Sequence, residues 1–340
     1  MARRRDPIEM HETAEQDLYD VTDWEVRSRL DRLAVGVYGL LGTTARGILI
    51  VVAALILVIQ LVLGGLGVIS DPVLGLFTLL SVVPALALAA YVWYVDVTPA
   101  EPLGLLVATF VLGVLFAGFA GIVNTVAQDV TLRALGVQSL PFLAMVPFYY
   151  LVVGPIEETV KLLAVRLYAY RDDRFGAVVD GAVYGAMAGL GFATIENALY
   201  IAQSVMNDPG MSNLVLRGGA TATVRALAGP GHVIYSAFSG YYLGLARFNR
   251  DSVGPIVVKG LLIAALIHAT YNSLVSFVPG LIAAVAGTSS LVGFLAFVLV
   301  YDGLFGALLF RKLTRYRRVY RQVHGDLDVD YDPELTEFDP

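Results

Sequence analysis

Five ionisable side chains lie inside stretches that otherwise read as lipid-spanning helix. They are Glu157, Glu158 and Lys161 in GPIEETVKLLAV, Glu196 in GLGFATIENALY, and His268 in LLIAALIHATYN. A charge at bilayer depth costs roughly 2.5 to 3.5 kcal/mol on insertion scales, so such residues face a polar cavity or each other and mark function. The chain reads as a bundle built around a polar site within a membrane.

Composition agrees with that class. Hydrophobic residues make up 57% of the chain and charged residues only 15%, and the mean hydropathy is +0.71, too apolar for an ordinary water-soluble domain. There is no cysteine, which excludes disulfides, thiolate metal sites and a cysteine nucleophile together. Catalysis must therefore use carboxylate, imidazole or hydroxyl groups. Acidic residues outnumber basic ones 29 to 23, but the excess lies mostly in the two tails and speaks for solvated termini rather than an acidic pocket. Nothing in the charge pattern suits nucleic acid.

Apolar runs occur at about Gly47 to Ile69, Val73 to Val95, Leu103 to Val123, Pro141 to Leu167, Gly176 to Ala202, Gly218 to Ala246, Gly254 to Val278 and Ser290 to Phe310. At about 20 residues per passage they predict an all-α polytopic bundle of about eight transmembrane helices. PGLIAAVAGTSS, between the last two, is apolar enough for a re-entrant turn. Arginine accumulates at Arg166 to Arg174, Arg247 to Arg250 and in RKLTRYRR at 311–318, which places these loops and both termini in the cytoplasm. No removable signal peptide is expected ahead of the first run. Residues 1–22 read as a mobile acidic tail and 23–46, with apolar residues at helical spacing opposite arginines, as an interfacial amphipathic helix. Residues 47–310 form the membrane-embedded bundle, and 311–340 a basic, then acidic, cytoplasmic tail whose final GDLDVDYDPELTEFDP is expected to be disordered.

Within the bundle, Lys161 is spaced to pair with either Glu157 or Glu158, while the other carboxylate points about 100° away around the helix. The small residues of GAMAGLGFA permit close helix approach beside Glu196 and Asn197. His232 follows in AGPGHVIYSAFSG, and His268 and Asn272 stand one turn apart, so Asn272 is placed to orient His268 or a water. With helix ends near Arg171 and Val183, Glu157, Glu196, His232 and His268 share a level about 20 Å above the cytoplasmic boundary.

The ordered set EETVK, FATIEN, His232 and HATYN resembles the PrsW family of multi-pass membrane proteases, distant relatives of the CAAX prenyl endopeptidases. WYVDVTPAEPLGLL is similar to that family's Asp-containing, Glu-Pro-rich approach to its third helix, although VTPAEP departs from the usual charged run. The resemblance covers roughly Tyr91 to Asn272. It assigns Glu157 and Glu158 to the diacid motif, Lys161 to its basic partner, Glu196 and Asn197 to the second motif, His232 and His268 to the two histidine positions, and Asn272 to the polar residue after the last. The prenyl-endopeptidase branch has histidine where this chain has Glu196, so the resemblance implies cleavage of a membrane-anchored regulatory protein rather than of a prenylated one.

Peptide hydrolysis requires an activated water and a stabilised oxyanion. Glu157 or Glu158 can serve as general base with His232, His268 and Asn272 in support; alternatively Glu157, Glu196, His232 and His268 supply donors for Zn²⁺. The resemblance implies that Glu157 addresses the water and Glu158 supports. A proton- or cation-coupled transporter would also bury Glu, Lys and His at mid-depth, though no inverted repeat is visible, and a non-catalytic scaffold would not need the full polar set.

Overall fold

The computed structural model describes residue 6 and residues 17–40, 72–96, 98, 101–139, 142–205 and 210–328. The first apolar run, Gly47 to Ile69, lies outside these residues. Every other run is helical. α1 spans Arg29–Leu40, α2 Pro72–Val95 and α3 Leu103–Leu135. α4, Phe142–Phe148, passes through a π-helical turn at Tyr149–Val153 into α5, Gly154–Leu167. α6 spans Val178–Val205, α7 Gly219–Phe248, α8 Val253–Val275, α9 Val278–Ala286 and α10 Ser290–Asp328. Among the described residues there is no strand beyond an isolated bridge between Tyr19 and Asp23, and five helices are long and apolar enough to cross a membrane.

α6 is the centre of the bundle: 83% of its most apolar window is buried, against 22% for α2. Leu79, Leu80, Val83 and Leu86 of α2 stay exposed, as expected of a helix that meets lipid. The centre is made possible by glycine spacing. Gly181, Gly185 and Gly189 form one ridge of α6, and a Cβ added to them would lie 2.2, 2.2 and 2.3 Å from the carbonyl oxygens of Gly240, Ser236 and His232 in α7. Such backbone-to-backbone approach is what small residues four apart allow in membranes. The register steps one turn at a time along both helices and brings Glu196 opposite Arg225.

The other faces of the site close by similar approaches. Gly113 of α3 sits on Ala188 of α6, Gly191 of α6 on Phe110 of α3, and Gly154 of α5 on Ala265 of α8. The apolar segment after α8 is not a bare turn. It forms the short helix α9 and reverses at Gly287, whose φ of 64° is a left-handed conformation that glycine adopts readily. Gly293 then packs α10 against Pro279.

The N-terminal side is more built than its composition suggests. Leu18, Val21 and Trp24 are buried, and buried Asp6 accepts hydrogen bonds from the Val178 amide and the Tyr316 hydroxyl. Asp20 pairs with Lys259 (3.0 Å) and Lys312 (2.7 Å), and Asp31 with Lys259 (2.7 Å). Burial alone would raise the Asp20 pKa, but the Lys312 and Lys259 ammonium groups outweigh it and hold this carboxyl below its ordinary value. These contacts occupy part of the stretch expected as a mobile tail. The amphipathic helix starts at Arg29 rather than 23, because Ser28 caps it: its hydroxyl accepts from the Asp31 amide at 3.0 Å while Asp31 accepts from the Ser28 amide at 2.6 Å; residues 41–46 lie outside the described residues. At the other end α10 continues to Asp328 and carries the basic cluster of residues 311–318.

Candidate active site

Glu157 and Glu158 stand on the first turns of α5, immediately after the π-helical turn, an irregularity common at functional sites. Their side chains diverge as neighbouring helical positions must. Glu158, fully buried, accepts a hydrogen bond from Lys161 Nζ at 2.7 Å and lies 2.9 Å from His268 Nδ1 through the same oxygen. Lys161, also fully buried, reaches His232 Nδ1 at 2.9 Å and places Nζ 4.2 Å from the centre of the Phe192 ring. All three ammonium directions thus have partners, a hydrogen-bonded arrangement that a charge sealed from water requires. These contacts fix the imidazoles. His268 donates from Nδ1 to a carboxylate, so its Nε2 lone pair is free; His232 accepts at Nδ1 from an ammonium, so its Nε2 carries the proton and donates to Glu196 at 2.7 Å.

Glu157 points the other way, into a cavity of about 650 Å³ that His232, His268, Glu196, Arg225 and Asn272 also line. Its Oε1 accepts from Asn124 Nδ2 of α3 at 3.0 Å. Its Oε2 is buried without a hydrogen bond and lies 3.7 Å from His268 Nε2. Glu196 is bound by Arg225 Nη2 at 2.5 Å, and Arg225 Nε donates to Asn197 Oδ1 at 2.8 Å. Asn197 in turn donates to the Ser81 hydroxyl of α2 at 3.0 Å.

Five of the eight residues singled out from sequence, Glu157, Glu196, His232, His268 and Asn272, therefore meet on one cavity. Glu158, Lys161 and Asn197 stand behind them and hold their partners. Asn272 does not orient His268; Glu158 does, and Asn272 leaves its carboxamide toward the cavity. Three contributors were given no role in the site from the sequence, although Arg225 stands out there on the same helix as His232. Asn124 binds Glu157, Arg225 binds Glu196, and Asp302 of α10, buried, accepts from Tyr235 at 2.9 Å, whose ring lies 5.4 Å from that of His268. Asp302 sits in the apolar run LVYDGLF and obeys the same rule that flagged Glu196. Neutral Asn124 gives no such signal.

The donors fit a metal ion. One ligand atom from each of Glu157, His232 and His268 lies within 4.8 Å of the others, Glu157 Oε2 lacks a partner, and two imidazoles with a carboxylate form a recognised catalytic set. Glu196 is outside this triad, being committed to Arg225 and His232. Residues 101–304 match the family described as PrsW family intramembrane metalloprotease. The chain belongs to this family. "Protease PrsW" of Geobacillus kaustophilus is 31% identical over 200 residues, covering 58% of this chain and 79% of that protein. The proteins of the same name from Halalkalibacterium halodurans and Bacillus subtilis are 28% and 29% identical, covering 84% and 78% of their own lengths. No solved structure matches. Membership in PrsW extends the resemblance past Asn272 to include Asp302, and with five helices of spanning length it makes this chain an integral membrane peptidase rather than a transporter or scaffold.

Proposed function

We propose that Glu157, His232 and His268 are the hydrolytic centre of this peptidase, that they hold a divalent metal of the zinc class, and that the substrate is a membrane-anchored protein. The observation that carries the reading is Glu157 Oε2: buried, without a hydrogen bond, facing the cavity, and close to the free Nε2 of His268. When bound, such an ion supplies Lewis-acid polarisation of the scissile carbonyl and acidifies water. Glu157 Oε2 is placed either to ligate that ion or to take the proton of the attacking water and return it to the leaving amine nitrogen, and Asn124, bound to Oε1, keeps the carboxylate from rotating away. Glu158 holds the His268 Nδ1 proton, which keeps Nε2 aprotic. Lys161 does the reverse for His232: for Nε2 to act as a ligand, its proton must leave while Nδ1 takes one from the Lys161 ammonium, so the Lys161–His232 pair would release one proton in total on metal uptake. Arg225 has Nε and Nη2 committed to Asn197 and Glu196; its remaining nitrogen and the Asn272 carboxamide are the donors on the cavity wall suited to the developing oxyanion.

The apolar wall of the cavity, with Phe148, Val224 and Phe294, suits a segment that arrives from the lipid. Both termini are assigned to the cytoplasm, on the side where α7 and α10 carry Arg247 and Arg311 to Arg318. The test is cleavage of membrane-anchored candidate substrates in reconstituted bilayers by wild type and by Glu157→Gln. Loss of cleavage in the folded variant supports the assignment, and retained turnover rejects it. Impermeant labelling of Ser252→Cys, but not Ser212→Cys, from outside intact cells would overturn the orientation.

A further inference from the structure

A second group of carboxylates lies at the far end of α6, away from the hydrolytic centre. Asp180 opens that helix sixteen residues before Glu196, about 24 Å along the axis at 1.5 Å per residue. Asp96 follows α2 and Glu101 precedes α3. One oxygen from each of the three lies within 4.8 Å of the others. Asp180 Oδ2 accepts the Gly176 and Ala177 amides at 2.7 and 3.0 Å. Thr98 Oγ1 lies 2.8 Å from Asp96 Oδ1 and 3.1 Å from Asp180 Oδ1, but a hydroxyl has one proton and can satisfy only one of them.

Two further polar atoms in this region are buried without a hydrogen-bond partner. Glu101 is buried, 8% exposed, and its Oε2 has no hydrogen bond. The Tyr184 hydroxyl, on a fully buried residue one turn along from Asp180, also has none. No lysine or arginine forms an ion pair with Glu101 or Asp180 among the described residues.

We propose that Asp96, Glu101 and Asp180 form a binding site for a hard divalent cation of the Mg²⁺ or Ca²⁺ class, which fastens the approach to α3 onto the start of α6. Every donor is oxygen, the chemistry that selects such ions over Zn²⁺, whereas the hydrolytic centre offers imidazole. The two helices so joined carry Asn124 and Glu196, so the clamp sets the frame of the active site without touching substrate.

The test uses the full chain in lipid nanodiscs after removal of bound metal. Mn²⁺ binding is counted by electron paramagnetic resonance, and thermal unfolding is followed with Mg²⁺ or Ca²⁺ added up to millimolar levels. Wild type should bind one Mn²⁺ more than Glu101→Gln, that ion should be displaced by Ca²⁺, and Ca²⁺ or Mg²⁺ should raise the unfolding midpoint of wild type by several degrees but not that of the variant. Equal Mn²⁺ counts in the two folded proteins would overturn the proposal. If Glu101→Gln does not fold, wild type alone decides: absence of any Ca²⁺-displaceable Mn²⁺ rejects the site. Stabilisation of wild type by acid alone, with no cation bound, would mean that a shared proton occupies the cluster and would also reject it.

Discussion

Lys161→Met removes the ammonium that joins the two histidines' supports while keeping most of the side-chain volume. In wild type that group meets Glu158 at 2.7 Å, His232 Nδ1 at 2.9 Å and the face of Phe192 at 4.2 Å, with no solvent exposure at Lys161 or Glu158. Breaking a buried ion pair by deleting one partner costs about 3 to 5 kcal/mol, because the remaining charge stays buried without compensation. The lost bond to His232 is worth about 1 to 3 kcal/mol by itself but is not additive with the first. We therefore expect Lys161→Met to lower stability by about 3 to 5 kcal/mol, and Lys161→Met with Glu158→Gln, which removes both charges, to regain at least about half of that loss. Activity should behave differently. Without Lys161 the His232 ring loses the bond that fixes it, and without the Glu158 carboxylate His268 loses the acceptor that holds its Nδ1 proton, so the double variant, though stable, should remain inactive. Thermal unfolding and substrate cleavage in nanodiscs measure the two effects separately. A single variant as stable as wild type, or a double variant less stable than the single one, would refute the reasoning.

Asn124→Ala should leave stability nearly unchanged but lower kcat by about ten- to a hundredfold, matching the roughly 1.5 to 3 kcal/mol of a hydrogen bond to a charged group; an effect confined to KM would count against it. Gly189→Ala should abolish activity and shift unfolding strongly, because its Cβ would stand 2.3 Å from the His232 carbonyl oxygen, whereas Gly104→Ala, with open space around it, should be silent. The lowered Asp20 pKa implies a contribution to stability that is complete above the unfolded value of about 3.9 and is lost as pH falls through the folded value. Hydrogen exchange at residues 18–24 should accordingly stay slow at neutral pH and accelerate under strong acid, and equal exchange at both would contradict the assigned pairing.

How much of this was legible in the sequence follows from the cost of each feature. Glu157, Glu158, Lys161, Glu196 and His268 stand out because charge in an apolar run is expensive, and their spacing along helices placed them near one depth. The helices themselves follow from run length. Asn124 and Tyr235 stayed hidden because neutral polar groups on apolar helices carry little cost, and for Asn272 one-turn spacing fixed a shared face but left open whether it meets His268 or a water. The packing of Leu18 to Trp24 was obscured by acidic neighbours whose partners, Lys259 and Lys312, are more than two hundred residues away in sequence. The register of α6 on α7 was partly visible in the GAMAGLGFA glycines, but its partner ridge was not.

The central claim is that Glu157, His232 and His268 form one metal-holding hydrolytic centre. It is tested most directly by the transition-metal content per chain of wild type, Glu157→Gln, His232→Ala and His268→Ala, each purified without chelator and assayed for cleavage on the same preparation. The account predicts close to one ion per chain in wild type, less in each folded variant, and cleavage lost in parallel. Wild type that carries no ion and cleaves its substrate at an undiminished rate after chelation would contradict it.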